Sequence, residues 1–130
     1  MAPVVLDADV LIAFLDASDA QHETAIDALR PRLAGGQRIL IAASVYAGIL
    51  VRPLQRGRDD AVDAFIDAIG ATVVPIDRVI ARHAAQLRGA HGALRLPDAM
   101  SLATALVAGA DFVTLDRRLG KIAAGERPAG

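Results

Sequence analysis

The chain has 130 residues, of which 54% are hydrophobic and 22% are charged, and its formal net charge is −1. This length suits one domain, and the composition excludes intrinsic disorder because the apolar residues can fill a core. The absence of cysteine excludes disulfide frameworks, thiolate metal sites and cysteine nucleophiles. The mean hydropathy of +0.40 is high, but the apolar runs are far too short to span about 30 Å of hydrocarbon. Since no export signal is visible either, we expect a cytoplasmic protein without a membrane segment.

Arginine and aspartate carry almost all of the charge. Of the 14 basic residues, all but Lys121 are arginine, and of the 15 acidic residues, all but Glu23 and Glu126 are aspartate. Arginine favours bidentate contact with phosphates, although a GC-rich genome explains the same bias and is the simpler explanation. Aromatic residues make up only 3% of the chain, which argues against a base-stacking platform for single-stranded nucleic acid.

Short apolar runs alternate with amphipathic segments along the chain. In order, the patterns predict a strand at 3–6, a helix at 19–33, a strand at 38–42, a helix at 59–69 and a strand at 71–75. A helix capped by Asp77 and another opened by Pro97 follow, and the last predicted strand covers 111–115. Fully apolar strands that alternate with helices indicate a parallel sheet covered on both faces. The predicted fold class is α/β.

Polar residues stand where the predicted strands end. Asp7 follows the first strand, Ser44 follows the second, Asp116 follows the last, and Asp98 begins the helix that leads into that last strand. The working cleft of an open parallel sheet lies beyond the carboxyl ends of its strands, so we expect these residues at one rim. Like charges held close together repel unless a proton or a cation lies among them. A divalent metal ion is the simplest occupant.

Each acidic motif also has an ordinary structural explanation. Asp7 and Asp9 form an Asp-x-Asp pair at a strand end, which suits a hard cation, but either residue can simply favour the start of the next helix. Asp98 beside Pro97 can be a helix-start acid, and Asp116 can belong to an ordinary turn. Each motif is weak alone, and their order along the chain is the stronger signal.

In this order the motifs resemble those of the PIN domain, specifically the VapC-type toxins of bacterial toxin–antitoxin pairs. The resemblance covers nearly the whole chain, through "VVLDADVLIAFLDASDAQH", "IAASVYAGILVRP", "LRLPDAMSLATAL" and "GADFVTLDRRLGKI". It implies a single PIN-like domain over residues 1–130, folded as an α/β/α sandwich with a four- to five-stranded parallel sheet. It also implies an endoribonuclease that depends on Mg²⁺ or Mn²⁺, a VapB-type antitoxin as partner and a homodimer.

The resemblance assigns roles to several residues. The family's first, third and fourth acids correspond to Asp7, Asp98 and Asp116, which would be the catalytic and metal-binding residues. Thr114 corresponds to the small hydroxyl residue that commonly precedes the last acid. Asp9 stands where the family often has Ser, Thr or Asn, and we interpret it, like Ser44, as a residue that supports the metal ligands.

The chain departs from the family at its second acid, a glutamate whose position is occupied here by Gly48. Gly48 lies four residues after Ser44, so the two share one face of a helix. Glycine within a helix costs roughly 1 kcal/mol relative to alanine, so local structure gives no reason for it. Either Gly48 is an inactivating substitution, natural or introduced, or this chain works with three acids. We favour the first interpretation.

Arginines flank the acids. Arg95 and Arg117 are the strongest candidates for contact with RNA phosphates because they adjoin Asp98 and Asp116, and Arg88 and Arg118 are further candidates. A solvated surface with helix-end charges explains these arginines equally well.

Histidines and apolar residues give weaker signals. We interpret His22 and His83 as core or edge histidines, whereas His91 lies in a predicted loop where it is either solvated or in contact with RNA. The apolar residues Tyr46, Ile49, Leu50 and Leu54 exceed one helix stripe. They either form a groove for a dimer partner or an antitoxin or, more commonly for such a pattern, extend the core.

Two other enzyme classes and one non-enzymatic function compete with this assignment. Asp7 and Asp9 also fit the opening motif of a haloacid-dehalogenase-type phosphatase, but the only lysine, Lys121, follows all the acids instead of preceding a final acidic pair. A receiver domain fails because no acceptor aspartate ends the third strand. A catalytically dead PIN module that binds RNA or an antitoxin stays a serious alternative because of Gly48.

Overall fold

The computed structural model describes residues 1–126. Its sheet has four strands, β1 Val4–Leu6, β2 Ile39–Ala42, β3 Thr72–Val74 and β4 Asp111–Val113. Seven helices lie in this part of the chain: α1 Ala8–Leu15, α2 His22–Ala34, α3 Ala43–Gln55, α4 Asp59–Ala68, α5 Arg78–Ala90, α6 Leu96–Ala108 and α7 Arg117–Glu126.

All strand pairs in the sheet are parallel, in the order β3-β2-β1-β4. Strand β1 is central and fully buried, because helices pack on both of its faces. Successive side chains of β1 point to opposite faces of the sheet and divide the core between them. Leu6 packs with α1, α2, α3 and α4, whereas Val5 packs toward α6. The sequence-based prediction of an α/β/α sandwich with a parallel sheet is therefore confirmed.

The strands are shorter than predicted at their ends. Pro75 lies beyond β3, where a residue without an N–H group cannot extend a strand ladder. Thr114 and Leu115 also lie beyond β4, and the Leu115 N–H donates to the Asp9 carboxylate instead of to β1. These departures leave the carboxyl ends of β1 and β4 free to form a site.

Local signals explain three of the helix boundaries. The Asp77 carboxylate accepts a hydrogen bond of 2.9 Å from the Ile80 N–H, so the predicted cap of α5 is confirmed. Helix α2 begins three residues later than predicted, because Asp19 instead forms a turn that accepts from the Gln21 and His22 N–H groups. Helix α6 ends at Gly109, whose φ of 62° is a left-handed conformation that favours glycine.

A hydrogen-bonded cluster joins the amino ends of three strands. The Gln37 amide nitrogen, before β2, donates to the Ala2 carbonyl at 2.8 Å and to the Asp111 carboxylate at 3.0 Å. The Arg32 guanidinium on α2 donates to the Gln37 amide oxygen at 2.9 Å and forms an ion pair with Asp111 at 3.3 Å. The start of the chain is thereby held at the edge of the sheet opposite the strand-end acids.

None of the helices within residues 1–126 is both long enough and apolar enough to cross a membrane.

Candidate functional site

Asp7 is the most buried acid at the carboxyl-end rim, with only 6% of its surface exposed. It directly follows β1, and its N–H donates to the Val113 carbonyl at 3.0 Å, which fixes its backbone beside β4. Although Asp7 precedes α1, its side chain makes no capping hydrogen bond to that helix. Asp7 stands at the N-cap position of α1, but it lacks the side-chain bond of a capping residue, and only the adjacent Ala8 N–H lowers its pKa from the helix side.

Thr114 links the first Asp-x-Asp motif to the end of β4. Its hydroxyl lies 3.0 Å from one carboxylate oxygen of Asp7 and 3.2 Å from one of Asp9. A hydroxyl has one proton, so it donates to one of these carboxylates at a time. The same Asp9 oxygen accepts the Leu115 N–H at 3.0 Å, and the Asp116 N–H donates to the Thr114 hydroxyl at 3.2 Å. The two acids and the residues after β4 thus form one connected network.

The negative charges of Asp7 and Asp9 are unfavourable in this network, because Asp7 is buried, Asp9 is half-buried and both lie close to other acids. Burial, followed by the negative charge of Asp9, raises the pKa of Asp7 to about 6, and Asp98 adds a smaller contribution in the same direction. Burial also raises the pKa of Asp9, although hydrogen bonds from Leu115 and Thr114 oppose the shift. The other oxygen of Asp9, Oδ1, is buried without a hydrogen-bond partner in the described chain. A cation at this rim would relieve both the repulsion and the unpaired oxygen.

Asp98 and Asp116 reach the rim from helix starts. Asp98 lies in the first turn of α6, where its carboxylate pairs with the Arg95 guanidinium at 3.2 Å. One oxygen of Asp116 accepts the Leu119 N–H at 3.0 Å and so caps α7, a role that differs from the ordinary turn considered for it in the sequence. Its charge nevertheless contributes to the raised pKa of Asp9. Both acids are therefore electrostatically coupled to the Asp-x-Asp motif.

The donor set suits a hard cation, but the side chains do not enclose one as they stand. Mg²⁺ and Mn²⁺ prefer carboxylate and water oxygens, and Asp7 provides carboxylate oxygens in a buried, charge-crowded position. Within residues 1–126, however, no three Asp, Glu, His or Cys side chains are close enough together to hold a metal ion. The chemistry of the residues fits a divalent ion, and the side chains would have to move closer to ligate it.

Ser44 and Gly48 lie on α3, which begins directly after β2. Ser44 Oγ is buried and has no hydrogen-bond partner within the described residues. Gly48 is exposed, and a Cβ atom placed on it would meet no other atom within 4 Å. Its φ is not among the positive values of the chain, so the backbone does not require glycine. A longer side chain at this position would find open space.

A pocket of about 390 Å³ adjoins the acids. Its charged residues are Arg95, Asp98, Asp116, Arg117 and Arg118, and its apolar residues are Ala93, Leu94, Leu119 and Ile122. The structure therefore brings Arg95 and Arg117, the favoured phosphate contacts, together with two of the three predicted acids. Arg118 also lines the pocket, whereas Arg88 does not.

His22 and His91 contact residues outside the Asp-x-Asp motif. His22 Nδ1 is 2.7 Å from the Ala13 carbonyl and ties α2 to α1. His91 Nε2 lies 2.8 Å from a Glu126 carboxylate oxygen. The sequence offered no signal for this pair, because the two residues are separated by 35 positions and lie in unrelated patterns.

The apolar residues of α3 divide between core and surface. Ile49 is buried, and Tyr46 and Leu50 pack against the core, with the Tyr46 hydroxyl donating to Asp63 on α4 at 2.6 Å. Only Leu54 of the predicted set is exposed, at 57%. Near it, a groove of about 240 Å³ is lined by Leu15, Arg52, Pro53, Arg56, Arg58, Ala61 and Val62. The core explanation describes three residues of the set, and an apolar groove lies beside the fourth.

The profile of the PIN domain family matches residues 4–125. The chain therefore belongs to the PIN domain family. This membership sets aside the phosphatase and receiver-domain alternatives and agrees with the resemblance found in the sequence.

Solved structures share the fold at low sequence identity. The chain is similar to VapC20 from Mycobacterium tuberculosis, a sarcin–ricin loop cleaving toxin, with a TM-score of 0.71 and 18% identity. The match covers 91% of this chain and 93% of VapC20. Over 92% of both chains, this protein is similar to VapBC2 from Rickettsia felis bound to a promoter DNA fragment, with a TM-score of 0.71 and 13% identity. A toxin–antitoxin complex from Klebsiella pneumoniae matches over 87% and 86% of the two chains, with a TM-score of 0.68 and 20% identity. No curated protein sequence matches the chain significantly.

Proposed function

We propose that this PIN domain is a VapC-type toxin, an endoribonuclease that hydrolyses RNA phosphodiester bonds with Mg²⁺ or Mn²⁺. The observation that carries the proposal is the buried, charge-crowded carboxylate of Asp7, which Thr114 holds at the same rim as the arginine-lined pocket. The fold shared with toxins of toxin–antitoxin pairs supports the same assignment.

Asp7 and Asp98 would hold one divalent ion, and Asp116 would contact it through water or help to hold a second. When bound, such an ion lowers the pKa of a water ligand and offsets the charge that develops on the phosphate. Thr114 keeps the Asp7 carboxylate oriented, and Asp9 holds Thr114 and the backbone after β4 in place. Ser44, with its unpartnered hydroxyl, would support the ligands from the α3 side.

The arginines of the pocket would attract the RNA that the acids repel. Arg95 is 78% exposed while its Nε contacts Asp98, so its remaining donors face solvent. Arg117 lies at the first position of α7, directly after Asp116. Guanidinium groups beside the acids can bind phosphate oxygens while the phosphodiester bond lies over the carboxylates.

Gly48 leads us to expect weak or absent cleavage by the chain as it stands. A glutamate at this open position would add a carboxylate to the rim, where it could tighten metal binding or position the attacking water. A positioned proton-transfer group contributes about 10²–10⁴-fold in rate. We therefore expect Gly48→Glu to cut RNA with Mg²⁺ or Mn²⁺ and to lose that activity in EDTA.

The test compares four proteins on one labelled, structured RNA, with EDTA controls. They are the parent chain, Gly48→Glu, Gly48→Gln, which matches the size of glutamate, and Gly48→Ala, which repairs helix propensity alone. Full activity of the parent with no gain from glutamate would mean that three acids suffice. Rescue by alanine as strong as that by glutamate would refute the role of a carboxylate at this position.

A PIN module that binds RNA or an antitoxin without cutting is the second candidate. Gly48 favours it, as does the absence within residues 1–126 of three acids close enough to hold an ion. Inactivity of all four proteins on many RNAs, with RNA binding retained, would support this function instead.

We also propose a VapB-type antitoxin as partner and a homodimer as the assembly, in the cytoplasm. An amphipathic antitoxin helix fits the groove between α1, α3 and α4, where Leu15 and Pro53 offer apolar contact and Arg52, Arg56 and Arg58 offer positive charge. The toxin–antitoxin complexes among the similar structures support such a partner.

A further inference from the structure

We propose that the 390 Å³ pocket binds one unpaired guanine base of the RNA, next to the phosphodiester bond that is cut. The inference rests on the proposed ribonuclease function, and it adds which nucleotide the site selects. It is carried by the juxtaposition of a buried apolar floor, two unpaired guanidinium groups and two of the candidate metal-binding acids.

The pocket has the size of a small-molecule site, and it combines an apolar floor with a charged rim. Its volume lies within the range of roughly 300–1,000 Å³ that is usual for such pockets. Leu94 and Leu119, exposed by only 5% and 2%, form a rigid apolar floor together with the half-buried Ile122. Charged side chains surround this floor. An apolar floor within a charged rim suits a flat heteroaromatic ring whose ribose and phosphate stay at the rim.

The free donors of the pocket favour guanine. The guanidinium groups of Arg117 and Arg118 make no hydrogen bond or ion pair with any other residue from 1 to 126, whereas Arg95 is paired with Asp98. An arginine fork matches the O6 and N7 acceptors of guanine, whereas adenine is best read by an amide and cytosine by a carboxylate. The pocket has no aromatic residue, so the second guanidinium would stack on the base. When Arg117 contacts the base in this way, Arg95 is the arginine left to bind the phosphate.

The walls of the pocket are held in place before any ligand arrives. The loop that carries Ala93 and Leu94 is closed by a hydrogen bond of 2.9 Å from the Leu94 N–H to the His91 carbonyl. The His91 imidazole in turn contacts the Glu126 carboxylate at 2.8 Å, at the last residue of α7. The loop and α7 both contribute to the lining, so this contact limits how far they can separate. A preorganised pocket loses less entropy on binding a base.

The position of the acids sets which nucleotide is selected. Asp98 and Asp116 belong to the lining, so a phosphate over these carboxylates is joined to the ribose whose base enters the pocket. A base within a duplex is stacked and paired and cannot enter. The proposal therefore predicts cleavage of loops and single strands with guanine at one fixed position beside the cut.

The first experiment measures both cleavage and binding with Gly48→Glu. RNAs with a randomised loop are incubated with Mn²⁺ and the cut ends are sequenced, and guanine should be enriched at one position beside the cut. Defined RNAs then carry guanine, 7-deazaguanine, adenine or an abasic nucleotide at that position, and the guanine RNA is also tested as a duplex. We expect the abasic RNA to be cut about 10- to 100-fold more slowly than the guanine RNA, and the 7-deaza RNA to fall in between, because it lacks the N7 acceptor. In parallel, binding of randomised and fixed-base single strands is measured in EDTA, without cleavage.

The second experiment changes the pocket. Ala93→Phe fills it from an exposed loop position, and Arg117→Lys and Arg118→Lys each keep the charge but remove the guanidinium fork. Ala85→Phe and Arg82→Lys are matched controls at exposed positions on α5 outside the lining. Melting temperatures report whether each variant is folded. We expect Ala93→Phe and at least one lysine variant to lose the guanine preference, and both controls to keep it.

The outcomes separate this inference from the proposed function. Three results would overturn the guanine pocket and leave the proposed ribonuclease function intact. They are cleavage with no base preference, equal cleavage of duplex and single-stranded RNA, and a guanine preference that survives all three pocket variants. No cleavage, but guanine-dependent binding in EDTA that Ala93→Phe abolishes, would support the pocket and overturn the nuclease. Neither cleavage nor base-dependent binding would overturn both.

Discussion

Asp7 shows how a single residue can reduce stability in favour of a site. Its carboxylate is almost fully buried beside Asp9, and its pKa is raised from 3.8 to about 6. The folded chain therefore binds a proton at Asp7 more tightly than the unfolded chain does. Because of this linkage, the contribution of Asp7 to stability falls as the pH rises from about 4 to about 6, and it stays unfavourable at neutral pH.

Asp7→Asn should therefore stabilise the metal-free protein at pH 7.5. The asparagine removes the buried charge and still offers an oxygen to the Thr114 hydroxyl, so we expect a gain of about 1–3 kcal/mol in the free energy of unfolding. At pH 4 the gain should shrink, because Asp7 is then largely protonated in the parent. Urea unfolding in EDTA at both pH values measures it.

Asp60→Asn, on the exposed face of α4, is the control for a general effect of charge removal. A loss of stability from Asp7→Asn at pH 7.5 would mean that hydrogen bonding to the carboxylate outweighs its burial. The same substitution removes a proposed metal ligand, so a more stable protein should also be a poorer nuclease.

At the scale of elements, helix α3 has both core and exposed apolar residues, which its sequence does not separate. Leu50 packs against the core, whereas Leu54, one turn later, is exposed beside the groove between α1, α3 and α4. Periodicity alone places both on one apolar stripe, because they are four residues apart. Which of the two is buried depends on where α4 packs across α3.

The two leucines should respond differently to the same substitution. Leu54→Asp should weaken the association with a dimer partner or an antitoxin helix by about tenfold or more and leave the melting temperature nearly unchanged. Leu50→Asp should lower the stability by about 2–4 kcal/mol, because it buries a carboxylate against the core. Analytical ultracentrifugation and thermal melting measure the two effects. A clean monomer in the parent, with no association to a co-expressed antitoxin, would contradict the groove as an interface.

The four strands and four of the seven helices within residues 1–126 were predictable, whereas no pattern gave bounds for α1, α3 or α7. The contacts between the elements were less predictable. The strand-end position of Asp7 followed from parallel-sheet topology, and the cap at Asp77 followed from its sequence. Asp116 was predicted at a strand end, but it lies at the start of α7, three residues beyond β4. The Thr114 hydroxyl between Asp7 and Asp9 depends on the pairing of β4 with β1, which composition does not encode. The His91–Glu126 contact needs the packing of the loop against α7, and the pocket between them exists only once α6 and α7 are in place.

At the scale of the whole molecule, metal binding should stabilise the fold. A ligand that binds only the folded state adds about 2.7 kcal/mol at a concentration one hundred times its dissociation constant, which raises the melting temperature of a chain of this size by about 10 °C. We expect Mn²⁺ to produce such a shift in the parent and a much smaller one in Asp98→Asn. Thermal scans over a Mn²⁺ series measure both.

Asp67→Asn, on the exposed face of α4, serves as the matched control and should respond as the parent does. An equal shift in the parent and in Asp98→Asn would remove Asp98 from the metal site. Because the readout is melting, this prediction holds whether or not Gly48 prevents cleavage.

The cluster of Arg32, Gln37 and Asp111 has a practical consequence for handling the protein. It holds the Ala2 carbonyl at the amino ends of the strands, while Asp7 lies at their carboxyl ends. A surface tether attached at Met1 would therefore start from the end of the strands opposite the acidic rim and leave that rim accessible. Immobilised in this way, the protein would present the cleft to RNA in the flowing solution of a biosensor or a single-molecule chamber.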